Sequence, residues 1–185
     1  DVVVLANGLF PRKGADVLLD AAETAVARGC AIRKVLAGLA PQGAEVFAER
    51  LRRRASEGAL KGRVHFAGLL PDMPTALASA DLFVSASRNE ALPIAIVEAL
   101  VAGTRVISTN VGDCALLLEG GARGGLVPPG DAAALAEVLE AAATGGPAKE
   151  AALRRISDAV AAEYGGPGFW NPLETFLAET VEGPP

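Results

Sequence analysis

Two carboxylates eight positions apart, Glu90 and Glu98, are the most conspicuous chemical groups of this chain. Glu98 is the only charge in the run from Ile94 to Ala102. An isolated ionised carboxylate in such apolar company costs several kcal/mol unless it is paired or its pKa shifts. Arg105 or backbone N–H groups could supply the partner. Glu90 lies in the loop before the same helix, so both carboxylates are expected to face one crevice. The helix start adds a third group. Pro93 suits a first helical position, and the N–H groups of Leu92, Ile94 and Ala95 would carry the partial positive charge that binds anions.

The elements that must hold these groups read as strand, loop, helix, strand. Leu82-Phe83-Val84 is a short apolar run of the kind found in buried parallel strands. Small and polar residues 85–89 follow, then the helix, which Gly103 stops, and a strand over 105–108. The helix is apolar nearly all round and is expected to be buried on most sides. Upstream, 2–6, 32–37 and 64–67 read as strands, and 15–28, 44–57 and 73–80 as helices. Arg52, Arg53 and Arg54 fall on what reads as a solvated helix face. Downstream, 114–119 reads as a short helix, 125–127 as a sixth strand, and 132–143 and 149–163 as helices. Strands alternating with helices imply right-handed crossovers. The predicted fold is therefore α/β: a doubly wound, Rossmann-like parallel sheet of about six strands with helices on both faces, in a single domain. Ligands of such sheets bind outside the carboxyl ends of the strands, which selects the loops 7–14, 38–43, 68–72 and 85–92.

Composition narrows the function. The chain has 185 residues, 51% of them hydrophobic, enough for one sizeable core. Its net charge of −5 argues against a broad nucleic-acid surface. An anionic ligand must therefore be gripped locally. One histidine, His65, within a strand, excludes chemistry resting on several imidazoles. Cys30 and Cys114 lack metal-ligand spacing and read as free thiols. No Asp-rich motif or His cluster suggests a held metal, so neither metal nor cofactor is expected. No apolar run approaches the ~20 residues that span a bilayer, and a cytoplasmic location is expected. The sole methionine is Met73 and the chain opens at Asp1, which marks it as an expected piece of a longer protein.

The segment NEALPIAIVEALVAGTRVISTNVGD resembles the Glu-x7-Glu segment of retaining, nucleotide-sugar-dependent glycosyltransferases of the GT-B architecture (glycosyl transferases group 1), the family of sucrose synthases and many bacterial mannosyl- and glucosyltransferases. The PRKG-x-D-x-LL-x-A opening, the strand ending in Ala-Gly, VHFAG and GG-x-LVPPGD follow in the order of that architecture's C-terminal, donor-binding half. The resemblance covers most of the chain. It implies that residues 1–185 bind a nucleoside-diphosphate sugar, and that the half which usually binds a saccharide, lipid-linked or small-molecule acceptor, and through which any membrane-surface association would come, is absent.

The resemblance also implies roles. Glu98 would accept bonds from the ribose hydroxyls, as suits a bidentate acceptor. Glu90 would contact a sugar hydroxyl, and Lys13 would neutralise the leaving diphosphate. Topology alone, not the resemblance, places the base near Gly38-Leu39 and Gly68-Leu69-Leu70. One position departs: where the family places an arginine five residues before that lysine, this chain has Gly8. Arg12, beside Lys13, is the candidate substitute. Two other readings stand beside this one. The first is a catalytically degenerate domain that binds a nucleotide or a protein, and the second is a nucleotide-sugar epimerase of similar architecture. The stripe Phe169, Trp170, Leu173, Phe176 and Leu177 would dock on the domain's own core or on the missing half.

Overall fold

The computed structural model describes residues 2–144 and 150–165. Six parallel strands form one sheet in the order β3-β2-β1-β4-β5-β6. They are β1 (Val2–Asn7), β2 (Ile32–Ala37), β3 (Val64–Gly68), β4 (Leu82–Ser85), β5 (Arg105–Thr109) and β6 (Gly125–Val127). The connecting helices are α1 (Ala15–Ala27), α2 (Glu45–Ala55), α3 (Met73–Ala78), α4 (Ile94–Val101), α5 (Cys114–Leu117), α6 (Ala132–Thr144) and α7 (Glu150–Tyr164). The predicted α/β class, strand number and doubly wound arrangement are those observed. The apolar stripe beginning at Phe169 lies outside the described residues.

Alternation along the strands sorts the core into two layers. Val4, Ile32, Leu36, Leu82, Val84, Ile107 and Val127 pack with α1, α2 and α6 on one face. Leu5, Ala37, Phe83 and Val106 pack with α3, α4, α5 and α7 on the other. With both faces covered, the strands are mostly apolar, which is why they read as near-continuous runs. Lys34 is a buried charge among them. Its place between Ile32 and Leu36 puts it on the covered face, and it is 1% exposed. Among the described residues its amine has no hydrogen-bond partner. Burial, and then the charge of Arg63, lower its pKa to about 8.

Two expectations about helices are corrected. α4 is covered on one side only: Ile96, Ala99 and Leu100 are buried, while Ile94 and Val101 are exposed and so is Glu98. The reason is geometric, because a helix on a doubly wound sheet packs one face on the strands and leaves the opposite face open. Arg54, expected on a solvated face with Arg52 and Arg53, instead pairs with Asp20 and with Glu23 (2.6 Å) of α1. Cys30 and Cys114 are free thiols, as read, and His65 is exposed on β3.

Candidate functional site

The strand order reverses between β1 and β4, which are neighbours in the sheet although α1, β2, α2, β3 and α3 lie between them in the chain. At such a switch point the loops leaving the two strands diverge to opposite faces and open a crevice. Here the loop after β1 supplies Arg12 and Lys13, and the loop after β4 supplies Ser87 and Glu90. Lys13 Nζ donates to Glu90 Oε1 at 2.6 Å, Ser87 Oγ donates to the same oxygen at 2.8 Å, and Arg12 Nη1 reaches Glu90 Oε2 at 3.1 Å. Arg12 Nη1 also donates to the Asn89 carbonyl at 3.0 Å, and its guanidinium lies 5.4 Å from the centre of the Phe10 ring.

Only 8% of the Glu90 side chain is exposed. Burial raises its pKa, but the bonds from Lys13 and Ser87 and the charges of Lys13 and Arg12 outweigh that, and the carboxyl lies below the ordinary glutamate range. Glu90 is thus ionised and occupies both cations. The floor of the loop is fixed from behind by Thr109, whose Oγ1 donates to the carbonyls of Ser85 and Ser87, and by the Asp113 N–H, which donates to the Ala91 carbonyl at 2.9 Å.

Gly8 is no vacancy for a larger side chain. It takes φ +89°, and a Cβ there would lie 2.4 Å from Lys13 Cγ. The chain therefore turns left-handed at Gly8 and lays the Lys13 stem across it, a path that a non-glycine residue enters only with strain. Arg12, not a residue at position 8, brings the second cation to Glu90.

The remaining expected residues fall around this crevice unevenly. Among the N–H groups at the start of α4, that of Ile94 is taken by the Leu92 carbonyl at 3.0 Å. This corrects its expected role as a donor; those of Leu92 and Ala95 have no backbone partner among the described residues. Gly8, Gly38 and Gly68 form a terrace at the carboxyl edge: the Gly8 N–H donates to Ala37 O (3.0 Å) and the Gly38 N–H to Gly68 O (2.6 Å). Leu39 and Leu69 project from it and are exposed. Glu98 does not meet Glu90. It lines a cleft of about 450 Å³ between α3 and α4 with Pro74, Thr75, Ala78, Val101 and Ala102. Among the described residues, neither Arg105 nor the backbone pairs with the Glu98 side chain: Arg105 donates to the carbonyls of Asp81 and Ala142.

Sequence reasoning missed Arg88, which donates to the Pro11 carbonyl and pairs with Asp16. No periodicity links residues this far apart, so only the fold reveals the contact. Among the described residues, no three His, Cys, Asp or Glu side chains gather as a metal site would require, and no helix is long and apolar enough to cross a membrane.

A parallel doubly wound sheet with a cation-lined crevice at its switch point defines a Rossmann-like domain. The chain belongs to the glycosyl transferases group 1 family, whose model matches residues 1–144. It is 37% identical over 134 residues to the phosphatidyl-myo-inositol mannosyltransferase of Mycobacterium leprae, covering 71% of this chain and 34% of that protein. To the lipopolysaccharide core biosynthesis glycosyltransferase LpsE of Rhizobium meliloti it is 34% identical over 139 residues, covering 75% of this chain and 38% of the relative. The crystal structure of Anabaena Alr3699/HepE in complex with UDP superposes with a TM-score of 0.83 at 25% identity, covering 98% of this chain and 49% of that one. The chain thus spans well under two thirds of the relatives it matches.

Proposed function

We propose that this chain is the donor-binding domain of a glycosyltransferase that takes a nucleoside-diphosphate sugar and transfers the sugar with retained anomeric configuration. The observation that carries the reading is the pairing of Lys13 and Arg12 across the switch-point crevice onto Glu90. That arrangement holds two cations where a diphosphate of a bound nucleotide would lie in a doubly wound fold. The relatives' names, a mannosyltransferase and a core glycosyltransferase, and the UDP held by the Anabaena neighbour support the same class.

In this reading Lys13 and Arg12 stabilise the charge that develops on the leaving diphosphate, as preorganised groups at a developing charge do. The N–H groups of Leu92 and Ala95 add the α4 N-terminus to that clamp. Glu90, released from the cations when the diphosphate takes them, orients a sugar hydroxyl. Glu98 accepts from the ribose hydroxyls along the α3–α4 side, and the base rests on the Gly38–Gly68 terrace beside Leu39 and Leu69. No metal or cofactor is assigned a part: the two side-chain cations do the neutralising. The acceptor and the groups that bind it belong to the rest of the longer protein, so the isolated chain binds donor weakly and transfers nothing, because acceptor positioning is lacking.

The reading is tested in the complete protein by following the anomeric proton of the product by NMR. Retained configuration with release of nucleoside diphosphate supports it. Inverted product excludes the retaining assignment, and interconversion of two nucleotide sugars without transfer identifies an epimerase instead. Transfer should also persist in excess chelator.

A further inference from the structure

The cations of the crevice sit on a loop whose own anchoring lies outside it. That loop, 8–14, contains one turn of 3-10 helix, Pro11–Lys13, with no side-chain cap. It is pinned to the loop after β4 by Arg88. The Arg88 N–H donates to the Arg12 carbonyl at 2.7 Å. Its guanidinium donates to the Pro11 carbonyl at 2.6 Å and binds both oxygens of Asp16, at 2.8 and 2.9 Å, in the fork geometry that fixes direction as well as distance. Asp16 lies in the first turn of α1. Burial raises its pKa, but the bonds and charge of Arg88 outweigh this and hold the carboxyl below the usual aspartate range. One side chain of the β4 loop therefore ties the residue before Arg12 to the start of α1. The two loops also approach backbone to backbone: a Cβ on Gly14 would fall 1.9 Å from the Ala86 carbonyl oxygen.

We infer that Arg88 and Asp16 form a positioning latch that sets Arg12 and Lys13 against the diphosphate of the donor. The inference rests on the donor-binding reading above. Arg88 does not touch the ligand; it acts through Pro11 and Arg12. Both latch side chains are partly exposed, 40% for Arg88 and 26% for Asp16, so solvent screens their attraction and their share in global stability is small. Their effect is on placement. A cation displaced by a fraction of an ångström loses its grip on a phosphate while the base and ribose contacts, on other elements, are unaffected.

The experiment measures binding of a nucleoside diphosphate, the matching nucleoside and inorganic pyrophosphate by calorimetry, for the wild type, Arg88→Ala, Asp16→Asn and the charge swap Arg88→Asp/Asp16→Arg. Amide hydrogen exchange is followed on the same proteins. The expected result is a loss of diphosphate and pyrophosphate affinity on the order of tenfold to a hundredfold, as for a misplaced group. Nucleoside affinity should hold, and exchange should rise within 10–14 and 86–90 only. The swap should recover part of the loss. Equal losses for nucleoside and diphosphate, or unchanged diphosphate affinity in a folded variant, overturn the latch. If the wild type binds no nucleotide at all, the donor reading fails, and exchange alone decides the latch: protection of both loops unchanged in Arg88→Ala contradicts it.

Discussion

At the scale of single residues, the account turns on what Glu90 does before the donor arrives. It holds Lys13 and Arg12 at 2.6 and 3.1 Å, so an incoming diphosphate must displace a carboxylate already in place. Glu90→Gln should therefore raise the affinity of a nucleoside diphosphate lacking its sugar by roughly threefold to tenfold, about the effect of a modest charge-assisted bond. Transfer by the complete protein should fall at the same time, because Glu90 is the group proposed to orient the sugar. A drop in both, measured by calorimetry and turnover, would mean that Glu90 does not compete for the cations. The same substitution should remove an acid dependence. A carboxyl lowered in the fold contributes stability that is fully present above its unfolded pKa, ~4.3, and is lost as pH falls through the folded value. Gly8→Arg, which looks like a repair of the family's missing cation, should instead destabilise the chain, since the site needs a left-handed backbone and has no room beside Lys13. Thermal denaturation checks it: an unchanged or raised midpoint with tighter diphosphate binding would show the backbone adapting.

At the scale of elements, the strands were legible because a sheet covered on both faces demands continuous apolar runs, and every run expected from 2–6 to 125–127 is a strand. α4 was legible as a helix but not as a half-exposed one. Ile94, Glu98 and Val101 share a face by spacing, yet apolar composition alone does not reveal which face a neighbour covers. The Arg54 and Arg88 ion pairs join segments far apart in sequence, and no local pattern encodes them. Lys34 could have been found, because period two places it between Ile32 and Leu36 on the covered face of β2. Its consequence is measurable. A lysine lowered to about 8 in the fold binds fewer protons there than in the unfolded chain between about pH 8 and its ordinary ~10.4. Stability should rise with pH across that window. Lys34→Met keeps the volume, removes the buried amine, and should stabilise the chain at neutral pH by on the order of 2–3 kcal/mol while flattening that slope. Denaturant titrations at pH 7 and pH 10 test both, and a destabilised Lys34→Met with the slope intact would point to a partner for the amine.

For the whole molecule, the central claim is that two loops leaving β1 and β4 make a diphosphate clamp at the switch point of a group 1 glycosyltransferase domain. The class of fold follows from sequence order and topology; the pairing of Lys13 with Glu90 of the β4 loop appears only once the two loops are folded together. That Glu98 lines the cleft between α3 and α4 depends on how those helices pack, which no spacing encodes. The most direct test is isothermal calorimetry of this 185-residue chain against nucleoside diphosphates with each common base, run in parallel on Lys13→Ala. The account predicts that at least one diphosphate binds, that the matching nucleoside binds more weakly, and that Lys13→Ala erases the difference by costing diphosphate affinity at least about tenfold, ~1.4 kcal/mol. Binding that is indifferent to Lys13, or no binding of any nucleoside diphosphate by the folded chain, would contradict it.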